Sequence, residues 1–192
     1  MGDTSAAGCL FAASREGPMT LVGKRIAVLA EDQFEDLELW YPVIRMREEG
    51  ASVLVLGTGK PEFRGKHGLS VKPDMSVGEA SPRDFQAVII PGGYSPDRMR
   101  RHRSLLDFVR KLFESGGVVA FICHGGWVPI SAEIVRGRRV TSFFSIADDL
   151  QNAGAEWVDE EVVQDGNLIS SRDPQDLPAF CRAIIAAVSN GS

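Results

Sequence analysis

Gly117-Val118-Val119-Ala120-Phe121-Ile122-Cys123-His124-Gly125-Gly126-Trp127 is the stretch whose reading decides the fold. An apolar run of strand length stops abruptly at a cysteine, and a histidine and two glycines follow. The segment beyond, 127–135, reads as helix. A buried strand that turns sharply into a helix lifts the residue at the turn above the sheet and faces it with the helix N-terminus. That is the geometry of a nucleophile elbow, and it makes Cys123 a candidate nucleophile.

Upstream, Ile26-Ala27-Val28-Leu29-Ala30 is a short buried strand. Acidic Glu31-Asp32-Gln33-Phe34-Glu35-Asp36 then opens a helix, along which Leu37, Trp40, Tyr41 and Ile44 recur at helical spacing. Pro42 is expected to kink or restart this helix, and Gly50 to cap it. Ser52-Val53-Leu54-Val55-Leu56-Gly57 completes a right-handed βαβ unit. A small hairpin is expected in 59–73, around Gly65-Lys66-His67-Gly68. Gln86-Ala87-Val88-Ile89-Ile90 is a third core strand, ending at Pro91-Gly92-Gly93, and a helix over 105–114 leads into the Cys123 strand. Downstream come a short strand at 139–142, a helix over 146–153 and a hairpin over 161–170 turning at Asp165-Gly166. A closing helix over 175–188 is apolar at Leu177, Phe180, Ile184 and Ala187. The alternation predicts an α/β fold with a mostly parallel sheet and helices on both faces.

At 192 residues the chain suits one domain, read as 24–192. Residues 1–23 are rich in Gly, Ala and Ser, lack the pattern of a signal peptide and read as a disordered extension, with Met19 a second candidate start. A net charge of -5 does not favour a nucleic-acid partner. The basic clusters at 98–103 and 136–139 read as solvated faces. Cys9, Cys123 and Cys181 form neither a disulfide framework nor a zinc motif, and they fit a reducing cytoplasm. No apolar run approaches the ~20 residues of a membrane span. Gly57-Thr58-Gly59-Lys60 falls short of a phosphate loop and no GxGxxG exists, so no cofactor is expected; nor is a metal.

Sites in such folds form at the carboxyl ends of the strands. Turns 31–35, 91–93 and 123–126 should therefore converge. The helix N-terminus and an adjacent imidazolium favour a Cys123 thiolate, and so a lowered pKa. His124 is positioned to act as general base. A protonated carboxyl from the first turn can donate to the thiolate; Glu35 is one candidate, with Glu31, Asp32 and Asp36 its rivals. Gly92-Gly93 lets backbone N–H groups approach an oxyanion. The histidines are His67, His102 and His124, and none lies beyond His124, which excludes a triad ordered cysteine first and histidine later.

Over roughly 24–188 the sequence resembles the PfpI family of intracellular cysteine peptidases, in the class I glutamine-amidotransferase-like superfamily, together with the parkinsonism-associated protein deglycase. The resemblance rests on Asp32-Gln33-Phe34-Glu35-Asp36-Leu37-Glu38-Leu39, Gly65-Lys66-His67-Gly68, Ile90-Pro91-Gly92-Gly93, Ile122-Cys123-His124-Gly125 and Asn152-Ala153-Gly154-Ala155-Glu156-Trp157-Val158-Asp159, closed by Gly166-Asn167-Leu168-Ile169-Ser170-Ser171-Arg172 and Asp176-Leu177-Pro178-Ala179-Phe180. It implies a flavodoxin-like three-layer sandwich with Cys123 as nucleophile, His124 as its proton carrier, Glu35 as the acid that contacts the cysteine, and Gly93 with the elbow N–H groups, Gly125 included, around an oxyanion. It further implies a homodimer or homohexamer in which a neighbour's carboxylate, here Asp97, orients His124. The family pattern has Glu at that position. Trp127 and Phe143-Phe144 also depart from the pattern and suggest a more apolar pocket. The implied chemistry is thiolate attack on peptide or amide bonds, or on glyoxal-type carbonyl compounds and their adducts, in a stress response. The alternative is a non-catalytic thiol redox sensor or stress chaperone.

Overall fold

The computed structural model describes residues 19–190. The expected extension over 1–23 lies outside the described residues up to 18. Residues 20–23 form a turn that buries Leu21, whose N–H donates to the Glu49 carbonyl at 2.9 Å.

In chain order the elements are β1 (Arg25–Ala30), α1 (Asp36–Glu48), β2 (Ser52–Gly57), β3 (Phe63–Arg64), β4 (Ser70–Val71), β5 (Met75–Ser76), β6 (Ala87–Ile90), α2 (Ser95–Met99), α3 (Arg103–Glu114), β7 (Val118–Ile122), α4 (Trp127–Ser131), β8 (Arg139–Val140), α5 (Ala147–Asn152), β9 (Glu156–Trp157), β10 (Val162–Asp165), β11 (Leu168–Ser171) and α6 (Leu177–Asn190). The main sheet runs β10-β11-β7-β6-β1-β2-β5. Its pairs are parallel except the β10–β11 hairpin at one edge. From β1 the chain first winds outward through β2 and β5, then returns to β6 and winds the other way. The switch point therefore lies between β1 and β6, and a crevice opens beyond their carboxyl ends.

The strands alternate between two cores, as side chains of period two must. Ile26, Val28, Val118, Ala120 and Ile122 face Leu39, Val43, Phe180 and Ile184 of α1 and α6. Ala27, Leu29, Val119 and Phe121 face Leu105, Phe108, Leu112, Val128 and Leu150 of α3, α4 and α5. The result is the three-layer sandwich, and the central strands are apolar on both faces because both are covered.

Four local expectations need correction. The face of α1 marked by Leu37, Tyr41 and Ile44 points outward, with Leu37 56% and Ile44 63% exposed, and Trp40 is half-buried. Its buried face is Leu39, Val43 and Met46 with Glu38 and Pro42, because α1 carries apolar residues on two sides. Pro42 sits within one continuous helix. The helix after the elbow stops at Ser131 rather than near 135, and Glu133 follows with φ +60°. The β10–β11 loop is Gly166-Asn167, one residue later than expected, since Asp165 pairs with Leu168 and Gly166 takes the positive φ of +61°.

Candidate active site

Cys123 sits where β7 ends, at φ +59°. An L-residue there costs about 1–2 kcal/mol. A four-residue 3-10 turn, Cys123–Gly126, joins it directly to α4. Small residues make the bend possible. A Cβ on Gly125 would lie 2.6 Å from the Ile90 carbonyl oxygen, and one on Gly92 would lie 2.9 Å from the Cys123 Cβ. The three expected turns do converge: Phe34 and Gly93 form an isolated bridge, and the Glu35 N–H donates to the Gly92 carbonyl at 3.3 Å.

Cys123 is 9% exposed at the base of a cavity of about 400 Å³, lined also by Glu35, Glu38, Lys66, His67, Gly93, Tyr94, His124, Phe143, Asp173 and Pro174. The N–H groups of Gly93 and His124 hydrogen-bond toward its sulfur. His124 Nδ1 is 3.2 Å from Sγ, and Nε2 is 3.1 Å from Ser145 Oγ. The imidazole is stacked on Phe143 at 5.3 Å and meets Trp127 edge-on at 5.2 Å.

The carboxyl that interacts with the thiol is that of Glu38, not Glu35. Glu38 is fully buried; its Oε2 accepts the Gly92 N–H at 2.7 Å, and its Oε1 has no hydrogen-bond partner among the described residues. Burial, with the neighbouring Glu35 charge, lifts Glu38 from the ordinary 4.5 to about 8. An orphaned carboxylate oxygen is costly, whereas a protonated carboxyl can donate to sulfur. Glu35 instead turns to the 65–68 loop: Oε2 is 2.5 Å from Lys66 Nζ and Oε1 is 3.4 Å from His67 Nε2. The physical reason is helical phase. Glu38 shares the inward line of α1 with Pro42 and Met46, whereas Glu35 lies before the helix begins.

The expectation of a lowered cysteine pKa is also corrected. Burial, then the opposing Glu38 charge, pushes the Cys123 thiol up, and the two N–H groups only partly offset this. His124 is pushed down by burial and by the Lys66 charge, which leaves its imidazole neutral at pH 7 and able to accept a proton. The resting pair is a thiol beside a neutral base, and proton transfer between them is short.

The remaining sequence candidates take different places. Gly125 packs under Ile90. Trp127 donates from Nε1 to Asp149 at 2.7 Å and braces His124 without lining the cavity. Asp97 pairs with Arg101 on α2. Of the two phenylalanines, Phe143 lines the cavity, while Phe144 is 72% exposed. Sequence reading missed Glu38, Lys66, His67 and Ser145 as site groups. Glu38 and the 65–68 loop lie inside stretches that carry the family resemblance, but Ser145 carries no signal of its own.

No helix among the described residues is long and apolar enough to cross a membrane. Residues 24–187 match the DJ-1/PfpI family. Deglycase PfpI of Pyrococcus furiosus is 45% identical over 161 residues, 84% of this chain and 97% of that protein. The putative cysteine protease YraA of Bacillus subtilis is 44% identical over 163 residues, 84% of this chain and 96% of its own length. The crystal structure of Drosophila melanogaster DJ-1beta superposes with a TM-score of 0.82 at 27% identity, covering 86% of this chain and 90% of that one. With the elbow, the switch-point crevice and these relatives in agreement, the chain belongs to the DJ-1/PfpI family.

Proposed function

We propose that the protein is a cysteine-dependent enzyme of the deglycase or hydrolase type, acting on glyoxal-type carbonyl compounds and their adducts or on amide bonds. The observation that carries this is Cys123, held at φ +59° with its sulfur 3.2 Å from a neutral imidazole and beneath two N–H groups. The similarity to deglycases and to a putative cysteine protease supports it.

His124 takes the thiol proton as sulfur adds to a carbonyl carbon. The carbonyl oxygen gains the electron pair and is held by the N–H groups of Gly93 and the elbow. With an amide, His124 then protonates the departing amine and water hydrolyses the thioester. With a 2-oxoaldehyde, the product of addition is a hemithioacetal. Moving its C1 proton to C2 gives the thioester of a 2-hydroxy acid, and water releases that acid and the thiol. An amine adduct enters the same path once sulfur replaces the amine. Glu38, neutral, donates to the sulfur while it carries charge.

We place the enzyme in the cytoplasm, where a reducing pool keeps Cys123 a thiol, and as a homodimer or homohexamer in which Asp97 can meet a neighbour's His124. Rapid quenching with methylglyoxal or an amide substrate, followed by mass spectrometry, should find the acyl group on the Cys123 peptide. Turnover with an unmodified Cys123 and an adduct elsewhere would oppose the reading. One observation favours a redox sensor as the second reading: a neutral Glu38 would also stabilise a cysteine sulfinate. Selective Cys123 oxidation by mild peroxide, without turnover of any carbonyl substrate, would select it.

A further inference from the structure

The Gly65-Lys66-His67-Gly68 loop is held more firmly than a surface turn requires. Buried Asp36 gives both carboxylate oxygens to its backbone, accepting the His67 N–H at 2.9 Å and the Leu69 N–H at 2.8 Å. The Lys66 N–H donates to the Phe34 carbonyl at 2.9 Å, and the Gln33 N–H to the Arg64 carbonyl at 2.7 Å. Gly65 has no room for a side chain, since a Cβ there would collide with the Asp36 carboxylate. The product of this bracing is one ammonium, Lys66 Nζ, fixed at 2.5 Å from Glu35 in the wall of the cavity that holds Cys123 and His124.

We propose that Lys66 is a positioning residue for the reaction: clamped by Glu35 on a loop pinned to Asp36, its ammonium sets the charge balance between Cys123 and His124. This rests on reading those two as the reacting pair. The groups around it are few. Glu35 comes from the β1–α1 turn, Glu38 from α1, His67 from the same loop, Tyr94 from the turn between β6 and α2, Cys123 and His124 from the elbow, and Asp173 from the loop after β11. Among them Lys66, its ammonium pushed up by the Glu35 hydrogen bond, keeps its positive charge throughout the neutral range. Its charge disfavours the imidazolium of His124 and favours the ionised forms of Cys123 and Glu38. It therefore keeps the base neutral and eases the anion that forms when the thiol gives up its proton.

The test is the pH dependence of Cys123 alkylation by iodoacetamide, read by mass spectrometry on the Cys123 peptide. Alkylation needs no substrate turnover, so its result stands apart from that of the proposed function. In Lys66→Met, or Lys66→Gln should the first not fold, the alkylation midpoint should rise by about one pH unit. In Lys66→Arg it should stay with wild type. In a parallel kcat/KM profile the acid limb should also move up, because His124 protonates more readily without the cation. A wild-type midpoint in Lys66→Met or Lys66→Gln, or an Arg variant shifted as far as the neutral one, would overturn the proposal.

Discussion

At Glu38 a fully buried carboxyl carries a raised pKa, and the consequences can be signed. Between pH 4.5 and about 8 the folded protein holds a proton that the unfolded chain has released. Stability contributed by this group is therefore complete below pH 4.5 and lost as pH rises toward 8. Glu38→Gln keeps a donor at every pH. We expect thermal melts of this variant to lose that downward slope, and its kcat/KM to lose an alkaline decline near pH 8, where ionised Glu38 would oppose the thiolate. An unchanged slope would mean that Glu38 is already ionised at neutral pH. Ser145 is the single partner of His124 Nε2 among the described residues, at 3.1 Å. Ser145→Ala should lower kcat about tenfold, the worth of one hydrogen bond of about 1.4 kcal/mol, with little change in melting temperature.

At the scale of elements, the elbow depends on glycines that let β6, β7 and the first turn crowd together. A Cβ on Gly92 would lie 2.7 Å from Glu38 Oε2 and 2.9 Å from both the Cys123 Cβ and the His124 backbone nitrogen. Gly92→Ala should therefore cost about 1–3 kcal/mol in denaturant unfolding and much more in activity, because relief must come from moving the reacting groups. Most elements were legible beforehand. β1, β2, β6 and β7 are unbroken apolar runs between turn residues, and Gly50 stops α1 at φ +87°, though as the residue just after the Glu49 C-cap rather than as the cap itself. What was not legible was phase. α1 has apolar residues on two sides, and only docking on the sheet decides that Leu39, Val43 and Met46 go inward. The same ambiguity hid Glu38: if Leu37, Tyr41 and Ile44 formed the buried face, Glu38 would not point at the cysteine, and only the docked phase turns it inward. Ser145 was hidden for a different reason, since its contact with His124 spans 21 residues and depends on how the 141–146 loop folds back.

For the molecule as a whole, the switch point between β1 and β6 follows from sheet order and gathers three turns that are distant in sequence. That much follows from the alternation of strands and helices. Assembly does not. Within one chain Asp97 is paired to Arg101, and a serine meets His124. If a neighbour's Asp97 orients His124, analytical ultracentrifugation should find a dimer or larger species, and Asp97→Asn should lower kcat without altering that species. A fully active monomer would remove Asp97 from the mechanism. Trp127 belongs at this scale too, because it ties the elbow helix to α5 through Asp149. We expect Trp127→Ala to lower kcat through a looser His124 while leaving substrate preference unchanged, measured across aldehydes of increasing size.

The central claim is that Cys123 performs the chemistry. The most direct test incubates wild type and Cys123→Ser with methylglyoxal, with methylglyoxal-treated N-acetyl amino acids and with fluorogenic peptides, following 2-hydroxy acid or released amine. Wild type should turn over at least one of these substrates, and Cys123→Ser should be reduced to the uncatalysed rate. Equal turnover by the two proteins, or none by wild type on any of them, would contradict the account.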